Sequence, residues 1–286
     1  MIKAIRTELY KAVWNPTFWL AILIGCGICT INVIENWQSV CNITYVTKKM
    51  VESGVLEYPA FDGISLFIKW IAVNGVSLGN RVYYFIWPIL AAFPYGWSYS
   101  REYRNGAIIQ SSSRIGIKKY FIAKYIATFI SGGLAVSLPV LLNLLLNALI
   151  CPSIIPNVIN SLVAVFDGQF MSVLFYRCPW IHGLIWCSVD FLLGGAAACL
   201  CFVVGARLRH GVMVTLTPFA FLLVLDGIYA SVRSATGWNI MLSPLNLACM
   251  VTAFPNPEGV VYVVIGLISI LSFGVGWWQV VCHEQI

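Results

Sequence analysis

Residues 120–150 read YFIAKYIATFISGGLAVSLPVLLNLLLNALI, thirty-one positions with one charged side chain, Lys124. A bilayer hydrocarbon core about 30 Å thick is crossed by about 20 apolar residues in a helix. This run therefore predicts a membrane span. At about 1.5 Å per residue it reaches about 46 Å, so it must tilt, bend at Pro139 or project beyond the lipid. Outward from it the pattern repeats. Further apolar runs cover 18–34, 83–99, 181–206, 211–230 and 259–281, with Pro88 and Pro94 as expected kinks in the second. The predicted fold class is an all-α integral membrane protein, a single transmembrane domain over 1–286 with an N-terminal interfacial helix and six transmembrane helices.

Composition agrees. Hydrophobic residues make up 60% of the chain and charged residues 10%, against roughly 25% charged in a soluble domain. Eleven tryptophans and thirteen tyrosines suit a protein anchored at two membrane–water interfaces. The net charge of +6 sits on residues that flank apolar runs, so it predicts orientation in a membrane, with lipid as partner and no nucleic acid. With the N-terminus inside, the inner set holds eleven basic residues (among them Lys3, Arg6, Lys11, Arg101, Arg104, Arg114, Arg207 and Arg209) and the outer set six (Lys48, Lys49, Lys69, Arg81, Arg177 and Arg233). The positive-inside bias then places both termini in the cytoplasm.

Between the spans the pattern is mixed. Ile2, Ile5, Leu9 and Val13 recur at helical spacing while Lys3, Arg6, Glu8 and Lys11 take other faces, which predicts a helix within 1–16 lying on the membrane. In the polar segment 35–82, Ile64, Phe67, Ile68, Ile71 and Leu78 form a helical stripe interrupted by Asp62, Lys69 and Asn74, expected on the surface. In 151–180, Val158, Leu162, Phe166, Phe170 and Val173 predict one face of a surface or re-entrant helix, interrupted by Asn157, Asn160, Asp167 and Gln169. The loop 231–258 carries a semi-apolar stretch, 240–254, expected to dip toward the membrane.

Motifs for chemistry within the chain are lacking. No Gly-x-x-x-x-Gly-Lys-Ser/Thr occurs, so a phosphate-binding loop, and with it ATP, is expected on another chain. The three histidines, His182, His210 and His283, fall on different loops or termini, and no metal centre is expected. Gly75-Val76-Ser77-Leu78-Gly79 formally matches a hydrolase nucleophile elbow, but that motif works on a strand-to-helix turn and no sheet is predicted. Cys26-x-x-Cys29 has redox spacing without a second pair and reads as apolar packing. No catalytic residue is expected.

Intramembrane polar groups say more. Asp190 falls within the fourth span, Asp226 near the outer end of the fifth, and Asn143 and Asn147 one turn apart on the third. They would either line a path for cargo or hydrogen-bond helix to helix. Gly194, Gly195, Ala196, Ala197 and Ala198 predict close helix packing.

The segment 100–119 and its continuation carry the most specific pattern: Arg101-Glu102-Tyr103-Arg104-Asn105-Gly106, then Arg114-Ile115-Gly116-Ile117-Lys118-Lys119-Tyr120, then Lys124. This resembles the permease subunits of type-2 ABC transporters, in which Glu-x-x-x-Gly follows the second span and Tyr-x-x-x-Lys opens the third. Glu8-Leu9-Tyr10-Lys11 is similar to the family's N-terminal interfacial helix. Where the family often has a proline before the basic residue, Ser112 and Ser113 stand here. The resemblance implies a half-size, six-span permease of a bacterial plasma membrane, similar to those of bacteriocin or lantibiotic self-protection. It implies pairing with a second permease subunit and with separate ATP-binding subunits. The loop 100–119 would then be a coupling element, with Glu102, Arg104, Gly106, Arg114, Tyr120 and Lys124 transmitting ATPase motion to export a peptide, drug or lipid-like compound. Glu102, Arg104 and Arg114 have no evident partner within the sequence and are expected to face the ATPase. A secondary transporter or channel coupled through Asp190 and Asp226 is the alternative.

Overall fold

A computed structural model of the chain describes residues 1–57, 64–156, 165–166, 168–205, 207–208 and 210–282, with the backbone alone at Cys282. Asp62, Asn157, Val158, Asn160, Leu162, Asp167, Arg209 and His283, all used in the sequence reading, lie outside the described residues. Among the described residues there is no strand. The helices are α1 (Ile2–Val13), α2 (Pro16–Glu52), α3 (Leu66–Lys69), α4 (Leu78–Ala92), α5 (Ser98–Arg104), α6 (Ala107–Ile115), α7 (Ile117–Ile150), α8 (Ser172–Arg177), α9 (Pro179–Cys199), α10 (Cys201–Val204), α11 (Gly211–Thr236) and α12 (Glu258–Trp277). Among the described residues, five stretches are long and apolar enough to cross a membrane: Pro16–Glu52, Ile117–Ile150, Pro179–Val204, Gly211–Thr236 and Glu258–Val281.

The centre of the bundle is the α7–α9 pair. In its most apolar window the 179–204 stretch is 72% buried and α7 50%, against 28% or less for the other three. Small residues allow this approach, as expected of 194–198. An added Cβ on Gly132 would collide with the Ala198 methyl, and one on Gly133 would lie 2.5 Å from the Phe191 carbonyl oxygen. An added Cβ on Gly194 would meet Val136 at 3.0 Å. Without a hydrophobic force between helices in lipid, such close backbone contact is the main source of association.

Several sequence expectations need correction. The helix that carries the first expected span does not end at 34: α2 continues to Glu52. Polarity alone does not stop a helix. No glycine or proline occurs from Ile28 to Ser53, and the helix ends just before Gly54, whose φ is +74°. The expected surface stripe is core over 64–73, where Ile64, Phe67 and Ile71 are buried and Ile68 is half-buried, while Leu78 is exposed as expected; α3 is only one turn. The Trp70 indole donates to the Val140 carbonyl (3.1 Å) and the Ile71 N–H to Asn143 Oδ1 (3.1 Å), so α7 supplies partners for one side-chain and one backbone donor of this segment. Of the expected helix face in 151–180, the described residues show turns at 168–171 and the short α8. Phe170 is buried there while Phe166 and Val173 are exposed.

The expected second span, 83–99, is split. Pro88 is accommodated inside α4, but the helix stops at Ala92 and turns precede α5. Phe93 keeps helical angles (φ −61°, ψ −38°), but Pro94 has no N–H to continue the ladder, which fits a break there. The break is held in place by the start of α2: the Thr17 hydroxyl donates to the Pro94 carbonyl at 2.9 Å and the Asn15 amide at 3.4 Å. With fifteen residues, α4 is shorter than the five stretches of membrane-crossing length. Pro139 leaves α7 unbroken. The loop after α11 folds inward, burying Met241, Leu245, Leu247 and Met250, and Trp87 donates its indole N–H to the Leu245 carbonyl (3.2 Å).

Candidate functional site

The conspicuous charged cluster joins α1, the Pro94 turn, α5 and α7. Lys124 is fully buried on α7, a position an ammonium group can occupy only if its charge is compensated. Its Nζ lies 2.5 Å from Glu102 Oε1, 3.2 Å from Glu8 Oε2 and 3.2 Å from the Tyr95 hydroxyl. Tyr95 donates to Glu8 Oε2 at 2.7 Å, Tyr120 donates to Glu102, and Lys11 reaches Glu8 Oε1 at 2.6 Å. Two carboxylates thus face two ammonium groups. Burial pushes the Glu8 carboxyl up, but the Lys124 charge and hydrogen bonds from Lys11 and Tyr95 outweigh it and hold Glu8 below the usual carboxylate value. Burial would likewise lower Lys11, yet Glu8 raises it above the usual lysine value.

Three of the residues singled out in the sequence, Glu102, Tyr120 and Lys124, therefore meet in one clasp. Contrary to the sequence expectation, Glu102 does not stand free: its side chain is 20% exposed and engaged by Lys124 and Tyr120. Arg104 and Arg114 are exposed and make no ion pair among the described residues. Gly106 (φ +66°) turns α5 into α6, and Gly116 (φ +83°, ψ 138°) turns α6 into α7. Both backbone conformations favour glycine. Between these elbows, α6 is anchored by the buried Ile108 while Ile109 is 75% exposed.

Asn143 and Asn147 lie elsewhere, fully buried in a polar seam between α2, α7 and the 69–80 segment. The Asn36 amide nitrogen lies 2.7 Å from both Asn147 Oδ1 and the Lys69 carbonyl, and Asn143 donates to the Cys29 carbonyl at 2.9 Å. Asn32 donates to Ser77 Oγ (2.9 Å), which itself donates to Glu35 Oε2 (2.5 Å) and caps α4. The two asparagines join helices here. Ser77, the centre of the formal elbow motif, is a helix cap.

Asp190 is fully buried on α9, with Oδ2 3.5 Å from the Tyr84 hydroxyl and Oδ1 without a partner among the described residues. Asp226 is half-buried on α11 and accepts from Asn246 at 2.8 Å. The structure does not bring these two carboxylates together, although Tyr84 and Asp226 line one cavity. Among the described residues no group of three or more His, Cys, Asp or Glu side chains is placed to hold a metal.

Sequence reasoning missed the roles of Asn32, Asn36, Tyr95 and Ser77. Asn32 and Asn36 repeat the one-turn spacing of Asn143 and Asn147, a signal that could have paired the two helices. Tyr95 carried none. No family model, curated protein or solved structure matches the chain.

Proposed function

We propose that the chain is the membrane-spanning permease subunit of an ABC transporter, with both termini cytoplasmic and the short α4 serving as a sixth crossing. It would work with a second permease subunit, with ATP bound on separate ATPase subunits, and export its cargo from a bacterial cell. The observation that carries this reading is the Lys124 clasp. It ties the exposed α5–α6 elbow to α7 and α1 through buried charge, as a part that receives force from a docked partner requires. Arg104, Arg114 and Ile109 offer that partner a basic and apolar face, while Glu102, Tyr120 and Lys124 hold the face in position.

The test is co-purification from the native membrane in mild detergent, followed by nucleotide photolabelling and ATP hydrolysis. A photolabelled ATPase subunit should accompany the wild-type chain and be lost from an Arg104→Glu/Arg114→Glu variant that inserts normally. Equal ATPase recovery from both would refute the docking assignment. A second reading, a secondary transporter, is favoured by the unpartnered buried oxygen of Asp190. It requires transport that survives a hydrolysis-dead ATPase and stops when the proton gradient is removed.

A further inference from the structure

Two cavities adjoin at the far end of α11. One, of about 360 Å³, lies between α11 and α12 and is lined by Leu225, Ile228, Val232, Val264, Leu267 and Ile268. Its walls are almost wholly apolar: the Tyr229 hydroxyl is committed to the Ile240 carbonyl at 3.0 Å, and Arg233 and Trp238 stand at its edge. The other, of about 570 Å³, lies between α4, α11 and the loop at 241–254 and is polar, with Arg81, Asn80, Asp226 and Asn246 on its walls. Tyr229 and Arg233 line both.

Arg233 stacks on Phe254 at 3.5 Å, and neither it nor Arg81 forms an ion pair among the described residues. Among the described residues Asp226 is the one acidic side chain on that cavity's walls, against two arginines, so those residues are net positive. Arg233 stands about 33 Å along α11 from Gly211, close to the thickness of a hydrocarbon core. Trp238, 57% exposed at the mouth of the apolar cavity, is a residue type that settles at membrane–water interfaces.

We propose that the two cavities form one site for an anionic membrane phospholipid. An acyl chain lies between α11 and α12, and the phosphate is held by Arg81 and Arg233. The division of apolar from basic walls at Arg233 matches the division of such a lipid into tail and head. Occupancy does not depend on any ATPase, so this site and the permease reading fail separately.

The full-length chain, purified in detergent, is titrated with phosphatidylglycerol, phosphatidylcholine or glycerol 3-phosphate, and bound ligand is counted by native mass spectrometry. Phosphatidylglycerol should be retained about tenfold more tightly than phosphatidylcholine, as expected for charge-assisted hydrogen bonds to phosphate without a compensating cation. Glycerol 3-phosphate should not be retained. Arg81→Gln/Arg233→Gln should abolish the head-group preference. Leu267→Trp, which fills the tail cavity and leaves both arginines, should weaken both lipids. Equal retention of the two lipids by the wild type would overturn the proposal, as would wild-type retention by either variant. Glycerol 3-phosphate binding as tightly as phosphatidylglycerol would do the same, by marking a free-anion site. Lys48→Gln/Lys49→Gln, at a basic pair outside both cavities, should leave retention unchanged. A loss of the head-group preference there would overturn the site by revealing non-specific charge binding.

Discussion

Lys124 Nζ lies 3.2 Å from Glu8 Oε2, so the N-terminal helix is held to α7 by a buried ion pair in addition to the buried Ala12, which clusters with Ala127 and Tyr95. Lys124→Met would remove the ammonium and leave Glu8 and Glu102 confronting each other. A loss of about 3–5 kcal/mol is expected, the usual consequence of removing one partner from a buried charged set. Adding Glu8→Gln and Glu102→Gln should recover part of it. Thermal unfolding in detergent measures both, and a Lys124→Met protein that melts with the wild type would contradict the clasp.

The same contact makes the docking of α1 sensitive to acid. Glu8 is held below its ordinary value of 4.5, so its contribution is complete above 4.5 and is lost as pH falls through the lowered value. Lys11 is raised above 10.5, so its contribution is complete below 10.5 and is lost as pH rises through the raised value. A nitroxide on Ile2→Cys, an exposed position, should keep constant mobility between these limits and loosen below pH 4.5. Unchanged mobility in acid would argue against an ion-paired α1.

Asn36 and Asn147 meet at 2.7 Å. Asn36→Leu leaves buried acceptors on Asn147 and Lys69 without their donor, and should destabilise by about 1–3 kcal/mol. Asn147→Leu should act similarly, and the double variant should lose less than the sum of the two. Additive losses in that cycle would mean that the pair is not coupled.

Gly132→Ala should destabilise by about 1–3 kcal/mol, the range for overpacking a filled interior, because its methyl would strike Ala198 and lie 2.7 Å from the Ala91 carbonyl oxygen. Gly227→Ala, at a helical glycine with nothing within 4 Å, is the matched control and should be neutral or slightly stabilising. Equal melting temperatures for the two variants would refute close packing at the α7–α9 contact.

Cys41 and Cys178 are exposed, whereas Cys29 and Cys199 are buried. Single-cysteine variants at 41 and 178 should react with an impermeant maleimide on intact cells, and those at 29 and 199 should not. External reaction at an exposed position on α6, such as Ile109→Cys, would invert the proposed orientation.

Apolar runs such as 120–150 were sufficient to establish helices of membrane-crossing length, because lipid requires both an apolar surface and an internally satisfied backbone. Glu102, Tyr120 and Lys124 were legible as a pattern, though not as a contact. Composition and periodicity describe each helix by itself, and so could not show that Glu102 answers Lys124, that Asn36 finds Asn147, or that 64–73 turns inward. These pairings depend on the register and separation of helices distant in the sequence. Only tertiary packing set them, by bringing backbones together at Gly132 and Gly194 and leaving each buried polar group to find its partner on a neighbouring helix.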